Sequence, residues 1–186
     1  GCVLIAGTGS ICYGKNATGE NFRCGGGGHI IDDPGSGYAL GRDALAAALQ
    51  TEDGRLSENA LHGAVMDTVG GSGIQGIFDF VYFSRRGKGD IAALAPLVLR
   101  CAAQGDAVSL DILRRGAAEL ARLVSAVMGK LGLENGSPCA LAGGLLAEDN
   151  VYRRAVCAAL APFCRPAAPE HDALFGAVQL ALAAIQ

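Results

Sequence analysis

The feature that most constrains this chain is a short apolar run closed by a glycine bend: Val3-Leu4-Ile5-Ala6 followed by Gly7-Thr8-Gly9-Ser10. A run that short, bounded by glycine, reads as a buried strand. The bend has two residues without Cβ, so the backbone can fold tightly and turn its N–H groups toward a ligand. The glycines, 28 in all, gather in places of this kind: Gly7–Gly9, Gly25–Gly28, Gly35–Gly41, Gly70–Gly76 and Gly143–Gly144. They follow no period, which excludes a collagen-like fibre. With 51% hydrophobic residues the chain is too apolar to stay disordered. Its 186 residues suit a single domain that buries roughly two-thirds of its unfolded surface.

Element by element, the pattern reads as strands, then helices, then strand, helix, strand, helix. Cys2–Ala6, Ile11–Gly14 and Asn21–Cys24 form an antiparallel meander, with turn chemistry at Asn16–Asn21. Ser36 precedes a helix to about Gln50, whose apolar face holds Tyr38, Leu40, Ala44, Leu45, Ala48 and Leu49. Glu58–Val69 is a second helix, and Gly70-Gly71-Ser72-Gly73 breaks the chain after it. Ile74–Phe83 fits a strand or a short helix, and its helical neighbours favour helix. Gly89-Asp90 reads as the cap of a helix over Ile91–Gln104, in which Pro96 forces a kink or a later start. Gly105-Asp106 caps a longer helix to about Leu131, with an apolar stripe of Leu110, Leu113, Ala117, Leu120, Val124, Val127 and Met128. Lys130 suits its C-terminal dipole and Gly132 its end. Cys139–Ala142 is a strand, Asp149–Leu160 a helix, Phe163–Arg165 an edge strand and Ala173–Ile185 a closing helix. The order defines an α/β domain.

Composition removes several function classes. Net charge is −3 and no basic stripe exists, which argues against nucleic acid as a partner. No run of 18 apolar residues occurs, so no membrane span is expected. The chain opens Gly1-Cys2-Val3-Leu4, without a basic segment, which is no signal peptide and reads as a start just before a strand. Seven cysteines without a CxxC pair read as reduced, mostly buried thiols in a cytoplasmic protein, rather than a disulfide framework or a zinc site.

Three segments could carry chemistry. In the first, Gly7 and Gly9 let backbone N–H groups converge on phosphate oxygens, and the Thr8 and Ser10 hydroxyls can add hydrogen bonds. A hairpin turn explains the same residues, and the absence of GxxxxGK[ST] excludes a Walker-type loop. The second is CGGGGHIIDDPGSG at Cys24–Gly37. Asp32 and Asp33 can accept hydroxyls of a polar ligand or cap the helix that follows. For Asp32 capping or solvation is favoured, and for Asp33 the two readings balance. His29 orders the loop more readily than it binds a metal. The third is Ala140-Leu141-Ala142-Gly143-Gly144-Leu145-Leu146, a strand, a Gly-Gly turn and a helix that can accept a flat base or ribose, although taken alone an ordinary α/β connection is the favoured reading.

Taken in this order, the three pieces resemble the N-acetylglucosamine kinase family, part of the BadF/BadG/BcrA/BcrD-type ATPases in the actin, sugar kinase and Hsp70 superfamily. VLIAGTGSICYG at Val3–Gly14 is similar to the family's second phosphate-binding turn. CGGGGHIIDDPGSGYALGRDAL at Cys24–Leu45 is similar to its glycine-rich sugar loop, and LAGGLL at Leu141–Leu146 to its adenosine motif. Ile91–Pro96, Gln104–Asp106 and Phe175–Ala183 resemble its helical segments. The resemblance implies a ribonuclease-H-like (actin-type ATPase) fold, a strand meander followed by helices on a mixed sheet. It implies that residues 1–186 are the C-terminal domain of such an enzyme. ATP and Mg²⁺ follow as cofactors, an amino sugar as small-molecule partner, and a homodimer is admitted. Carried over by position, Gly7, Thr8, Gly9, Ser10, Ala92, Gly143 and Gly144 would line the ATP site, and Gly27, His29 and Asp33 the sugar site. Gly27 replaces the family's aromatic residue, Ile11 its asparagine after GTGS, and Asp32 and Pro34 its glycine and glutamate around Asp33, so the acceptor sugar stays open. The family's first phosphate loop and catalytic aspartate precede the GTGS strand, so no residue here is assigned as general base. Two other readings remain: an activator ATPase of a radical CoA-ester dehydratase or reductase, and a non-catalytic nucleotide- or sugar-binding module.

Overall fold

The computed structural model describes residues 1–70, 72–83 and 85–183. Its centre is a five-stranded mixed sheet built from β1 (Cys2–Ala6), β2 (Ser10–Lys15), β3 (Asn21–Gly25), β4 (Ser137–Ala142) and β5 (Cys164–Ala167), in the order β3-β2-β1-β4-β5. β1, β2 and β3 pair antiparallel, whereas β4 and β5 run parallel to β1. The expected meander and the edge position of the last strand are therefore both present. Alternation sets the two faces. Leu4, Ala6, Cys12, Cys139 and Leu141 are buried, while Ile5 and Tyr13 on the other face are exposed.

The helices are α1 (Gly37–Glu52), α2 (Ala60–Val69), α3 (Gly73–Phe78), α4 (Lys88–Ala92), α5 (Ala95–Ala103), α6 (Ala107–Leu131), α7 (Val151–Leu160) and α8 (Ala173–Ala183). α6 crosses β1, β2 and β3 and packs against α5 and α7, while α7 covers β5. The Asp106 carboxylate caps α6 by accepting the Ser109 N–H at 2.8 Å, and Gly132 ends the helix in the left-handed region. Of the expected stripe, Leu113 through Met128 is buried, but Leu110 is 42% exposed. The inward position one turn before Leu113 belongs to Ser109, whose hydroxyl is satisfied by Asp106 at 2.7 Å.

Ile74–Phe83 is helical, as its neighbours suggested, with a π-helical turn over Asp79–Phe83. Several boundaries differ from expectation. The helix expected over Ile91–Gln104 is two helices, because Pro96 lacks an N–H and sits in the first turn of α5. The cap of α4 is Gly87, not Gly89-Asp90; the Asp90 carboxylate reaches back to accept the Gly87 N–H at 2.8 Å. α7 starts at Val151 rather than Asp149, since Asn150 is the residue whose side chain accepts the Tyr152 and Arg153 N–H groups. Of the expected breaks and ends, residues 71, 184 and 185 lie outside the described residues. No single helix among the described residues is long and apolar enough to cross a membrane.

α4 lies directly on α1, and Gly41 permits this contact: a Cβ there would collide with the Ile91 carbonyl oxygen. Gly41→Ala should therefore lower stability by about 1–3 kcal/mol through overpacking. Urea unfolding would measure the loss, and faster amide exchange in Lys88–Ala92 would locate it.

Candidate functional site

The bend after β1 is positioned by the start of α1. The Gly7 N–H donates to the Gly9 carbonyl at 2.9 Å, closing the turn between β1 and β2. The Gly7 and Thr8 carbonyls accept from Gly37 and Tyr38, the first two N–H groups of α1, at 2.7 and 3.2 Å. The Ser36 hydroxyl accepts the third, from Ala39, at 3.2 Å. A helix start leaves its first N–H groups without intrahelical partners, and here the bend and the cap satisfy three of them. A trans peptide holds C=O and N–H on opposite sides. With the Gly7 and Thr8 carbonyls turned toward α1, the N–H groups of Thr8 and Gly9 point away from it. Neither has an acceptor among the described residues.

The second bend follows β4, the parallel neighbour of β1, and so emerges beside the first. Gly143 has φ 89° and is packed so closely on the Ala6 carbonyl that a Cβ would strike it. That carbonyl accepts the Leu145 N–H at 3.1 Å. The Gly143 carbonyl accepts from Leu146 and Ala147, both at 2.9 Å, so a hydrogen-bonded turn, not a helix, follows the two glycines directly. The bends touch: a Cβ at Gly7 would lie 4.0 Å from the Gly144 nitrogen. They form walls of a cleft of about 330 Å³, completed by Gly37, Ala92, Pro96 and Leu145. Among the described residues, no charged side chain lines it. Its polar groups are backbone, the Thr8 hydroxyl, and the N–H groups of Thr8 and Gly144, for which the described chain holds no acceptor.

Of the residues singled out in sequence, Gly7, Thr8, Ala92 and Gly144 meet at this cleft, while Gly143 lies outside its lining and packs the second bend against the Ala6 backbone. Gly9 and Ser10 face the glycine-rich loop instead. The Ser10 N–H donates to Asp33 Oδ1 at 3.1 Å and its hydroxyl donates to the Pro34 carbonyl at 2.7 Å. Asp33 is buried and has φ 55°, a left-handed conformation that aspartate tolerates better than most residues. A Cβ on Gly9 would come within 3.0 Å of its carboxylate. The helix cap expected of the two aspartates belongs to Ser36, and Asp32 caps its own loop by accepting the Gly27 N–H at 2.9 Å. His29 packs edge-on against Tyr38, ring centroids 4.7 Å apart, so a ring contact orders this part of the loop. Gly27 and His29 lie outside the cleft lining. Gly37 and Pro96 were missed as lining residues. Gly37 sits in the same glycine-rich run and Pro96 closes the Ile91–Pro96 segment that resembles the family, so both carried a signal. Among the described residues, no group of three or more His, Cys, Asp or Glu side chains is arranged to hold a metal ion.

The loop is tied to the far side of the molecule by Tyr152 on α7, whose hydroxyl donates to the Gly35 carbonyl at 2.6 Å in the core. Burial pushes its phenol above the ordinary range, so it stays a donor.

Residues 1–181 match the sequence profile of the BadF/BadG/BcrA/BcrD ATPase family. The chain belongs to this ATPase family. An N-acetylmuramic acid/N-acetylglucosamine kinase of Clostridium acetobutylicum is 41% identical over 135 residues, covering 73% of the chain and 44% of the relative. An N-acetyl-D-glucosamine kinase of Dictyostelium discoideum is 31% identical over 159 residues, covering 84% and 48%. A Chromobacterium violaceum structure assigned as an N-acetylglucosamine kinase superimposes with a TM-score of 0.78 at 32% identity, over 97% of this chain and 59% of that one. A Porphyromonas gingivalis structure shares the fold, with a TM-score of 0.70 at 18% identity. This BadF/BadG/BcrA/BcrD ATPase family member thus has the α/β, actin-type architecture its motifs implied, and spans about half the length of the curated relatives it matches.

Tyr152→Phe removes one hydroxyl and leaves the buried Gly35 carbonyl without its donor. A loss of about 1–3 kcal/mol is expected, read from urea unfolding, with the far-UV spectrum unchanged.

Proposed function

We propose that the cleft between the two glycine bends binds ATP, and that residues 1–186 act as the nucleotide-facing, C-terminal domain of a kinase that phosphorylates a hydroxyl of an amino sugar. The observation that carries this is the meeting of Thr8 and Gly144 at one cleft, each with an N–H that has no acceptor in the described chain. Such donors, on bare backbone and held by the fold, match phosphate oxygens and ribose hydroxyls. Thr8 supplies an N–H and a hydroxyl to the phosphates, and Gly7 keeps side-chain bulk away from them. Ala92, Pro96, Gly144 and Leu145 give the nucleoside a small, uncharged surface. Asp33 holds the bend through Ser10 with Oδ1 and has Oδ2 for a sugar hydroxyl. The kinase relatives in Clostridium acetobutylicum and Dictyostelium discoideum support an amino-sugar acceptor.

In-line transfer of the γ-phosphoryl group needs charge neutralisation and a base at the acceptor hydroxyl. Mg²⁺ would supply the first when bound to the phosphates. Among the described residues no carboxylate lines this cleft, so no side chain here is assigned to the metal, and none is assigned as the base.

A Cβ at Gly144 would meet no heavy atom within 4 Å, so a side chain there projects into open space beside the bends. Gly144→Leu should therefore fold as wild type and fill the cleft. In calorimetric titration with Mg-ATP we expect at least a tenfold weaker Kd, about 1.4 kcal/mol, with Tm unchanged. Equal affinity in the two proteins would remove the nucleotide from this cleft.

A further inference from the structure

α4 and α5 meet at a break made by one missing donor. The backbone keeps helical angles across it: Ala93 has φ −64° and ψ −12°, and Leu94 has φ −80° and ψ −16°. In a helix the carbonyl of Ala92 would accept the N–H four residues on. That residue is Pro96, which has no N–H, and a proline ring also crowds the carbonyl four residues before it and pushes it aside. The next donor is diverted, since the Leu97 N–H goes to the Leu94 carbonyl at 3.0 Å and not to Ala93. Among the described residues, nothing donates to the carbonyls of Ala92 or Ala93.

This gap opens on the cleft between the glycine bends, because Ala92, Ala93 and Pro96 all line it. The Ala92 oxygen is itself at that wall: a Cβ on the lining residue Gly37 would come within 3.6 Å of it. The bare Gly37 leaves it uncovered. Among the described lining residues, only Thr8 has a polar side chain, so whatever reads a ligand here is mostly backbone. The bends offer N–H donors at Thr8 and Gly144, which suit phosphate oxygens. The α4–α5 break adds the reverse, two adjacent acceptors, and these need a donor on another part of the nucleotide.

Resting on the ATP reading of this cleft, we propose that Pro96 determines the base specificity. It frees the Ala92 carbonyl, with the Ala93 carbonyl beside it, to accept hydrogen bonds from the 6-amino group of adenine. An amino group carries two hydrogens and so matches two neighbouring acceptors. The apolar faces of Ala92, Pro96 and Leu145 hold any flat base alike, so the selectivity lies in the freed carbonyls.

The test is calorimetric titration with the Mg²⁺ complexes of ATP and of purine riboside triphosphate, which is ATP without the 6-amino group. Purine riboside triphosphate should bind about fivefold more weakly, the worth of one neutral hydrogen bond. In Pro96→Ala the backbone regains an N–H for the Ala92 carbonyl, and the ratio of the two affinities should fall to near one. A merely structural effect of Pro96→Ala would weaken both ligands alike, and an unchanged ratio overturns the role of Pro96. Equal affinities in the wild-type protein overturn the inference while leaving the nucleotide in the cleft. Weakening by 2′-deoxy-ATP in place of purine riboside triphosphate does so too, by turning the carbonyls toward the ribose. If neither ATP nor its analogue binds, the ATP reading and this inference fall together.

Discussion

Two backbone hydrogen bonds hold this site together: Gly37 and Tyr38 N–H at the start of α1 donate to the carbonyls of Gly7 and Thr8. They satisfy the helix start, and by turning those carbonyls inward they turn the N–H groups of Thr8 and Gly9 outward. The donors are available without being buried and unpaired. They also place the positive end of the α1 dipole behind the bend, which favours negative charge in front of it. The arrangement needs Gly37 to be bare, since a Cβ there would sit 3.0 Å from the Gly7 oxygen.

From that contact a continuous set of hydrogen bonds runs into the glycine-rich loop. Ser10, one residue past the bend, holds both Asp33 and Pro34, and the next residue, Gly35, accepts from Tyr152 on α7. α7 in turn follows the Gly143–Gly144 bend, and that bend is fixed to β1 through Leu145 N–H on the Ala6 carbonyl. Both walls of the cleft are thus tied to the same strand and to the same loop. The left-handed backbone of Asp33 is tolerated because its carboxylate is engaged at the point where the strain arises.

Much of this was legible in the chain itself. Apolar runs bounded by glycine marked β1 and β4, because both are buried and short; the 3.6-residue spacing and the Asp106 and Gly132 ends marked α6. The GTGS and Gly-Gly bends were visible as residues whose backbone had to do something a Cβ would prevent. What local pattern could not carry was who faces whom. That Ser10 belongs to Asp33 rather than to the cleft, and that Gly37 and Pro96 stand beside Thr8, both depend on strand order and helix crossing. Those are contacts between residues far apart in the chain. They are decided by which apolar faces can be buried together, a property of the whole packed domain and not of any one segment.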